Sequence, residues 1–485
     1  MPQTISQPES TVVTLPPLCV DLDGTLVKSD TLVDSLLVLL RTRPALVFQF
    51  PGRLMHGKAA LKAFLSESVT LDVVHLPYNR KLLQFLCEER SKGREIYLAT
   101  GADVGIANRV AAHLEIFTGV LGSDGVTNLT GRKKLDKLRS RLDSRAFDYV
   151  GNDSPDVPLL ENANQAMVAN PSLGLRMKLR TRGIRPTRVF RESQPRLKSL
   201  TEAVRLHQWA KNLLIFVPLL LSHALSVAKL LTALEAFCCF SLTASAVYIA
   251  NDLLDIETDR RHAQKCRRPF ASGDLPPLAG VCIAAVFLLT GIAGGRLLLP
   301  ESFCGWLLVY LATSTAYTGL LKRIAVVDVL VLSGLYTLRL QAGAAATHTP
   351  ISHWLAGFAI FLFLSLAIVK RFAELENQRT SGLQQKNGRG YQVADLEQIR
   401  SFGTSSAYAA VVIFAIYISG HDVATLYHKP TLLWLIVPFM ILWLSRVWLL
   451  ASRGELNEDP VVFALTDKMS LLIGAAVTVI ALLAL

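Results

Sequence analysis

From Trp209 onward the chain is dominated by apolar runs, and no other feature restricts its fold so severely. Nine can be counted, at about 212–228, 231–250, 278–298, 302–321, 325–346, 353–372, 404–420, 431–451 and 466–485. Most are long enough to span a hydrocarbon core. With 51% hydrophobic and 18% charged residues, the chain reads as a polytopic membrane protein rather than a large soluble core. The expectation is an all-α membrane bundle of about nine helices over residues 201–485. Several runs carry polar residues (Asp328, Arg339, Gln341), which implies faces turned to a lined interior. The connections after the second, fourth and sixth runs hold Arg260 to Arg268, then Lys322 and Arg323, then Lys370, Arg371, Arg379, Arg389 and Arg400. Those after the first, third, fifth and seventh hold almost no Lys or Arg. The positive-inside rule then places these basic loops and the N-terminal region on the cytosolic side of a bacterial-type inner membrane.

The first part of the chain is of another kind. Leu18-Cys19-Val20 is a short apolar segment ending in Asp21-Leu22-Asp23-Gly24-Thr25. A helical insertion is expected over about 31–91. Strand signals then return at Glu95–Gly101, Gly119–Ser123 and Phe147–Asp153. Short apolar strands that each end in Asp, Thr or Gly predict a soluble α/β domain over 16–172, Rossmann-like, with its site at the C-termini of parallel strands. Residues 1–15 read as disordered. They show no basic n-region and no apolar core, so no cleaved signal peptide is expected and the α/β domain stays in the cytosol. Residues 173–200 are strongly basic, from Arg176 to Lys198, and read as a juxtamembrane linker lying on anionic headgroups. The net charge of +12 points the same way, toward anionic lipid or phosphorylated substrate and not nucleic acid. Seven scattered cysteines without a CxxC pair fit reduced thiols rather than a disulfide framework or a zinc site.

Two acidic stretches carry chemistry. Asn251-Asp252-Leu253-Leu254-Asp255-Ile256-Glu257-Thr258-Asp259 follows the second apolar run, and its aspartates, spaced i, i+3, i+7, share one helical face. Three carboxylates on one face repel unless a cation sits among them. Mg²⁺ completed by substrate phosphates is one reading. A solvated helix whose acids pair with Arg260 and Arg261 is the other, and the stretch alone leaves the two level. Asp21-x-Asp23 after a buried strand is the second: one carboxylate to attack phosphorus, the other to shuttle the proton, and Mg²⁺ to let an anion approach an anion.

Residues 16–172 resemble the haloacid dehalogenase-like (HAD) phosphatase superfamily, with 31–91 as the cap. The match runs through Asp21-x-Asp23-Gly24-Thr25, Thr100, Lys134 and Gly151-Asn152-Asp153-Ser154-Pro155-Asp156. The resemblance implies Asp21 as nucleophile, Asp23 as acid/base, and Thr100 and Lys134 as phosphate ligands. It also implies Mg²⁺ held by Asp21, Asp23 and the fourth motif with Asn152, Asp153 and Asp156. Asn152 stands where the superfamily carries aspartate, which keeps an oxygen ligand but removes a charge.

Residues 201–485 resemble the UbiA superfamily of intramembrane prenyltransferases. The resemblance rests on Asn251, Asp252, Asp255 and Asp259, on the entry segment Arg205 to Asn212 with Lys211, and on the span count. The second aspartate-rich motif of ring-prenylating members is reduced to Asp328, with Lys322 before it, Arg339 after it, and Lys370-Arg371 closing the sixth run. That pattern, with Lys265 and Arg268, is most similar to the decaprenyl-phosphate phosphoribosyltransferase branch. The resemblance implies transfer from phosphoribosyl pyrophosphate to a polyprenyl phosphate, with Mg²⁺ on Asp252, Asp255, Asp259 and Asp328. It further implies that Lys211, Asn251, Lys265, Arg268, Lys322, Arg339, Lys370 and Arg371 bind substrate. The fused HAD domain would then remove the 5-phosphate. The other readings are prenyl transfer from a prenyl diphosphate to an aromatic or other acceptor, and a non-catalytic lipid-binding protein with a vestigial HAD domain.

Overall fold

Leu18-Cys19-Val20 alternates apolar side chains between two faces, so it requires cover on both. In the computed structural model it forms β1 (Leu18–Val20); Leu18 and Val20 enter one buried cluster and Cys19 another. The structure describes residues 15–192, 194–223, 225–381, 389–456 and 460–485. The disorder expected for residues 1–15 therefore lies, apart from Leu15, outside the described residues.

Between β1 and β2 (Ile96–Asp103) the chain inserts α1 (Thr31–Thr42), α2 (Phe50–Met55), α3 (Lys58–Ser68) and α4 (Arg80–Ser91). Alternation then resumes with α5 (Val104–Leu114), β3 (Gly119–Ser123), α6 (Arg132–Arg141), β4 (Asp148–Gly151), α7 (Val157–Asn162) and β5 (Ala166–Ala169). The sheet is wholly parallel, in the order β3-β2-β1-β4-β5-β6, where β6 is Arg188–Phe190. Val20 pairs with Leu98 on one side and Val150 on the other. Asp21, Thr100 and Asn152 therefore emerge together at the C-terminal edge of the central strands.

The basic stretch 173–200 is folded where a linker was expected. It supplies α8 (Leu173–Thr181), the edge strand β6 and α9 (Arg196–Val204). Arg188-Val189-Phe190 buries Phe190 while the Arg188 guanidinium stacks 4.6 Å from the Phe85 ring centroid. Arginine on an edge strand serves to cover aromatic surface, and its charge disguises the strand.

The C-terminal part is helical throughout. A 3₁₀ segment Leu206–Phe216 leads into α10 (Val217–Leu221), α11 (Val227–Leu254), α12 (Ile256–Arg261), α13 (Pro277–Leu298), α14 (Glu301–Gly319), α15 (Val327–Thr347) and α16 (His353–Ser381). There follow α17 (Leu396–Ile418), α18 (His421–Leu426), α19 (Ile436–Ser452), α20 (Pro460–Thr466) and α21 (Lys468–Ala484). All nine apolar runs are helical over at least part of their length. Among the described residues six helical stretches are long and apolar enough to cross a membrane: Val227–Leu254, Pro277–Leu298, Val327–Thr347, His353–Thr380, Val393–Ile418 and Pro430–Ser452. The remaining three runs fall short for local reasons. The first turns from 3₁₀ to α at Pro218, the fourth is diluted by Thr313, Ser314, Thr315 and Thr318, and the last gives a helix of 17 residues.

The chain divides into two compact units, residues up to Ala203 with Ile249–Cys282, and Val204–Tyr248 with Ile283–Leu485. The acidic stretch and α12 thus fold with the α/β sheet. Within the second unit, α15 meets the 3₁₀ segment backbone to backbone. A Cβ on Gly343 would lie 2.0 Å from the Ile215 carbonyl oxygen, so no larger residue fits there.

Candidate functional sites

At the sheet edge, burial and charge are concentrated on a few groups. Lys134, in the first turn of α6, places Nζ 2.8 Å from Asp21 Oδ1, 2.8 Å from the Tyr149 hydroxyl and 3.2 Å from Asp156 Oδ1. Tyr149 donates to the same Asp156 oxygen, and the amides of Asn152 and Asp153 donate to its other one at 3.1 and 3.3 Å. Asn152 also packs so closely on the Asp23-Gly24 turn that a Cβ on Gly24 would fall 2.0 Å from its amide; Gly24 has φ +71. Thr100 is fully buried and accepts from the Ala102 amide at 3.0 Å. Asp153 accepts from Ser172 Oγ at 2.7 Å with one of its oxygens.

Burial pushes the Asp21 carboxyl up to about 6 even though Lys134 opposes it. Asp23, half-buried and facing Asp30 and Asp21, rises to about 8 by desolvation and those charges while accepting from the Thr31 amide at 2.8 Å. Burial draws Lys134 down, but Asp156 and Asp21 outweigh it and hold the ammonium above its usual range. The two neighbouring carboxyls thus titrate apart, Asp21 at about 6 and Asp23 at about 8, so that between these values one is ionised while the other keeps its proton. Two members of this neighbourhood carry no motif in the sequence. Lys62 reaches from α3 to the Gly101 carbonyl at 2.6 Å and Asn128 Oδ1 at 2.9 Å, and Tyr149 ties Lys134 to Asp156.

In the acidic stretch the helical hydrogen bonding runs on through the break at Asp255, whose amide donates to Asn251 and whose carbonyl accepts from Asp259. Two motif carboxylates converge as their spacing predicts. Arg268 Nη1 lies 3.0 Å from Asp252 Oδ1 and 2.7 Å from Asp259 Oδ2, and both aspartates are buried. Burial raises the Asp259 carboxyl, with Arg268 opposing. Asp255 faces Arg41, at 3.6 Å. Lys265 stands in the 3₁₀ turn Lys265–Arg267, and its amide lies 3.4 Å from His262 Nδ1. Asn251 is half-buried in the last turns of α11.

Two groups of cations in the second unit contain the residues singled out in the sequence. Arg339 is buried in α15, donating from Nε to Asn212 Oδ1 at 2.8 Å, with its guanidinium 5.2 to 5.5 Å from the Tyr310, Phe240 and Tyr336 ring centroids. Lys211 lies 5.6 Å from the Tyr336 ring. The other group centres on Asp328, fully buried, which accepts from Arg371 Nε at 2.6 Å and from the Tyr391 hydroxyl. Arg371 also binds Glu374 at 2.8 Å, which Arg389 reaches at 2.6 Å. Val326, two residues before Asp328, has φ +68, a costly conformation for a β-branched side chain, and its amide donates to Tyr391. Both Asp328 oxygens thus serve the chain's own donors. Lys322 is half-buried in the turn Leu321–Arg323, and Lys370 half-buried beside Arg371. Among the described residues no three His, Cys, Asp or Glu side chains are arranged to hold a metal ion.

Comparison with known proteins gives these sites a context. Residues 213–473 match the UbiA prenyltransferase family. An uncharacterized protein of Sinorhizobium fredii, y4nM, is 38% identical over 463 residues, 95% of this chain and 89% of that one. The decaprenyl-phosphate phosphoribosyltransferase of Mycobacterium tuberculosis is 33% identical over 283 residues, 57% of this chain and 91% of the relative. Among solved structures, a UbiA homolog from Archaeoglobus fulgidus bound to GPP and Mg²⁺ aligns with 57% of this chain and 99% of its own at 16% identity and TM-score 0.44. On the family match and on relatives that align over most of their own length, the chain belongs to the UbiA prenyltransferase family.

Proposed function

We propose that the membrane part transfers 5-phosphoribose from phosphoribosyl pyrophosphate to a polyprenyl phosphate. The observation that carries this reading is the pair of buried carboxylates, Asp252 and Asp259, closing on one guanidinium nitrogen. The alternative, a solvated helix whose acids pair with Arg260 and Arg261, would leave these carboxylates in solvent; both are buried, and the cation between them is Arg268. The name of the mycobacterial relative supports the choice of donor and acceptor. So does the second motif, where Asp328 is committed to Arg371 and cations outnumber carboxylates.

The donor set suits Mg²⁺: Asp252, Asp255 and Asp259 would hold it, and it would neutralise charge on the departing pyrophosphate. Asp328, the further ligand candidate of the family pattern, gives its two oxygens to Arg371 and Tyr391 and would have to exchange one of them to serve a metal. Asn251, Lys265 and Arg268 would hold pyrophosphate oxygens, Arg268 exchanging its carboxylate partners for phosphate. Lys211, Lys322, Arg339 and Lys370 would receive the lipid phosphate and the 5-phosphate, while Arg371, the remaining cation of the family pattern, is held by Asp328 and Glu374 and would brace them. An oxygen of the lipid phosphate attacks C1 of the ribose as the bond from C1 to pyrophosphate breaks. The attacking group is already anionic, so no general base is needed.

The product carries a phosphomonoester, and the N-terminal domain is suited to remove it as a HAD-type phosphatase. Asp21 attacks phosphorus, Asp23 protonates the leaving alcohol and then activates the water that frees Asp21, while Thr100 and Lys134 hold the phosphate. Asp21, the Asp23 main chain, Asn152, Asp153 and Asp156 are the oxygen donors from which a Mg²⁺ there would draw, and it would lower the repulsion between carboxylate and phosphate. The loop charges support placing both activities at the cytosolic face of the inner membrane.

Membranes containing the protein, given ribose-labelled phosphoribosyl pyrophosphate and polyprenyl phosphate, are expected to yield a labelled lipid that loses its phosphomonoester. The D21N variant should accumulate the phosphorylated form. No label in the lipid fraction would contradict the transfer, and identical products from wild type and D21N would contradict the hydrolysis.

A further inference from the structure

The acidic stretch does not stand by itself. A helix of six residues has no stability of its own, so α12, which carries Asp259, takes its position from what it touches. Much of that comes from the N-terminal domain. Arg260 Nη1 donates to Asp34 Oδ2 at 2.8 Å, with 4% of the arginine side chain exposed and none of the aspartate. Arg260 Nε bonds the Ala271 carbonyl at 3.1 Å, which fixes the returning loop as well. Around this buried pair lie three further links. Arg261 Nε meets Asp72 Oδ2 at 2.6 Å, Lys28 meets Asp274 at 3.3 Å, and Arg41 at the end of α1 touches Asp255 and Thr258.

Apart from the Arg260–Ala271 bond, these contacts join the segment 255–274 to the region between Lys28 and Asp72, which precedes it by about two hundred residues. The central one is also poorly suited to a purely stabilising role. Asp34 Oδ1 and Arg260 Nη2 have no hydrogen-bond partner among the described residues, and a buried ion pair with unmet atoms adds less stability than apolar side chains of the same size. What it does supply is a fixed direction. Thr31 at the start of α1 is bound to Asp23, and one turn later Asp34 is bound to Arg260, the neighbour of Asp259.

We infer that α1 is a strut that holds the aspartate motif in its working position, with Asp34 and Arg260 as positioning residues for transfer. The N-terminal domain is then a structural part of the transferase and not only a hydrolase attached to it. The inference rests on the reading of Asp252, Asp255 and Asp259 as the transfer motif.

The test uses the full-length protein in lipid nanodiscs and the variants D34N, R260K, D72R, R261D and D72R/R261D. One arm needs no substrate: tryptic cleavage between Arg260 and Arg268, followed by mass spectrometry. The other measures transfer from phosphoribosyl pyrophosphate as a function of its concentration and of Mg²⁺. D34N is expected to be cut at least tenfold faster in that loop and to lose at least tenfold in kcat/KM, mainly through higher KM and a higher Mg²⁺ requirement. R260K should fall between D34N and wild type. Each exposed single reversal should cost about threefold, and the double reversal should return to within twofold of wild type, as expected when one ion pair is restored.

A folded D34N with wild-type loop protection and wild-type KM overturns the inference. Should D34N fail to fold, the exposed pair decides: single reversals without effect on loop cleavage overturn it equally. Absence of ribose transfer by wild type, with the loop still released in D34N, refutes the proposed substrate and leaves the strut standing.

Discussion

Arg339 and Arg371 are both guanidinium groups buried in helices of membrane length, and they are satisfied in opposite ways. Arg371 has two carboxylates, Asp328 and Glu374, and accepts no ambiguity of position: Tyr391 and Tyr317 fix the same cluster from its sides. Arg339 is surrounded by neutral partners, the Asn212 amide oxygen, the Leu335 carbonyl and three aromatic rings. Ring faces and amide oxygens soften the cost of burying a cation but do not cancel its charge. A buried arginine left with net charge is prepared for an anion, whereas one already matched to carboxylates braces the helices around it. The same spacing logic in the sequence covers both, and only the partners separate a binding group from a brace.

The contrast can be broken experimentally. The largest effect is expected for R339M, which keeps apolar bulk in the aromatic cage. Transfer should fall by about 10²–10³-fold, the scale for removing a charge-stabilising donor, with little change in thermal midpoint. R371L should do the reverse to stability, leaving Asp328 buried without its cation at a cost of about 3–5 kcal/mol, read as a lower unfolding midpoint. Equal stability losses in the two variants would erase the distinction. Y391F, which removes one of the two donors to Asp328, should cost about 1–2 kcal/mol by the same measurement.

The N-terminal site offers a third arrangement, a lysine shared between carboxylates, and its signature is in pH. Hydrolysis of p-nitrophenyl phosphate should rise as Asp21 loses its proton near 6 and fall as Asp23 loses its own near 8. D23N should remove the descending limb, since no proton then leaves at that position.

Much of this was legible in the chain. Leu18-Cys19-Val20, Ile96–Thr100 and Asp148–Gly151 have the length and apolarity of buried parallel strands, and the residues after each are those at the site. The i, i+7 relation of Asp252 and Asp259 foretold their shared face, which Arg268 now occupies. What stayed hidden depends on contacts distant in sequence. Lys62 sits in an insertion without a motif, and the Asp34–Arg260 pair spans 226 positions that no local pattern connects. The basic stretch after Leu173 was obscured for a different reason. Charge dominates its composition, while α8 and the strand Arg188–Phe190 bury only a few apolar residues, Leu175, Leu179 and Phe190.

The commitment of Asp328 to Arg371 and the open charge of Arg339 both bear on which donor the membrane site accepts. The direct measurement gives purified protein ribose-labelled phosphoribosyl pyrophosphate and differently labelled prenyl diphosphate together, with polyprenyl phosphate and an aromatic acceptor present. Ribose label is expected in the lipid fraction, abolished in D255A, with no prenyl label on the aromatic acceptor. Prenyl label on the acceptor with no ribose in the lipid would contradict phosphoribosyl transfer.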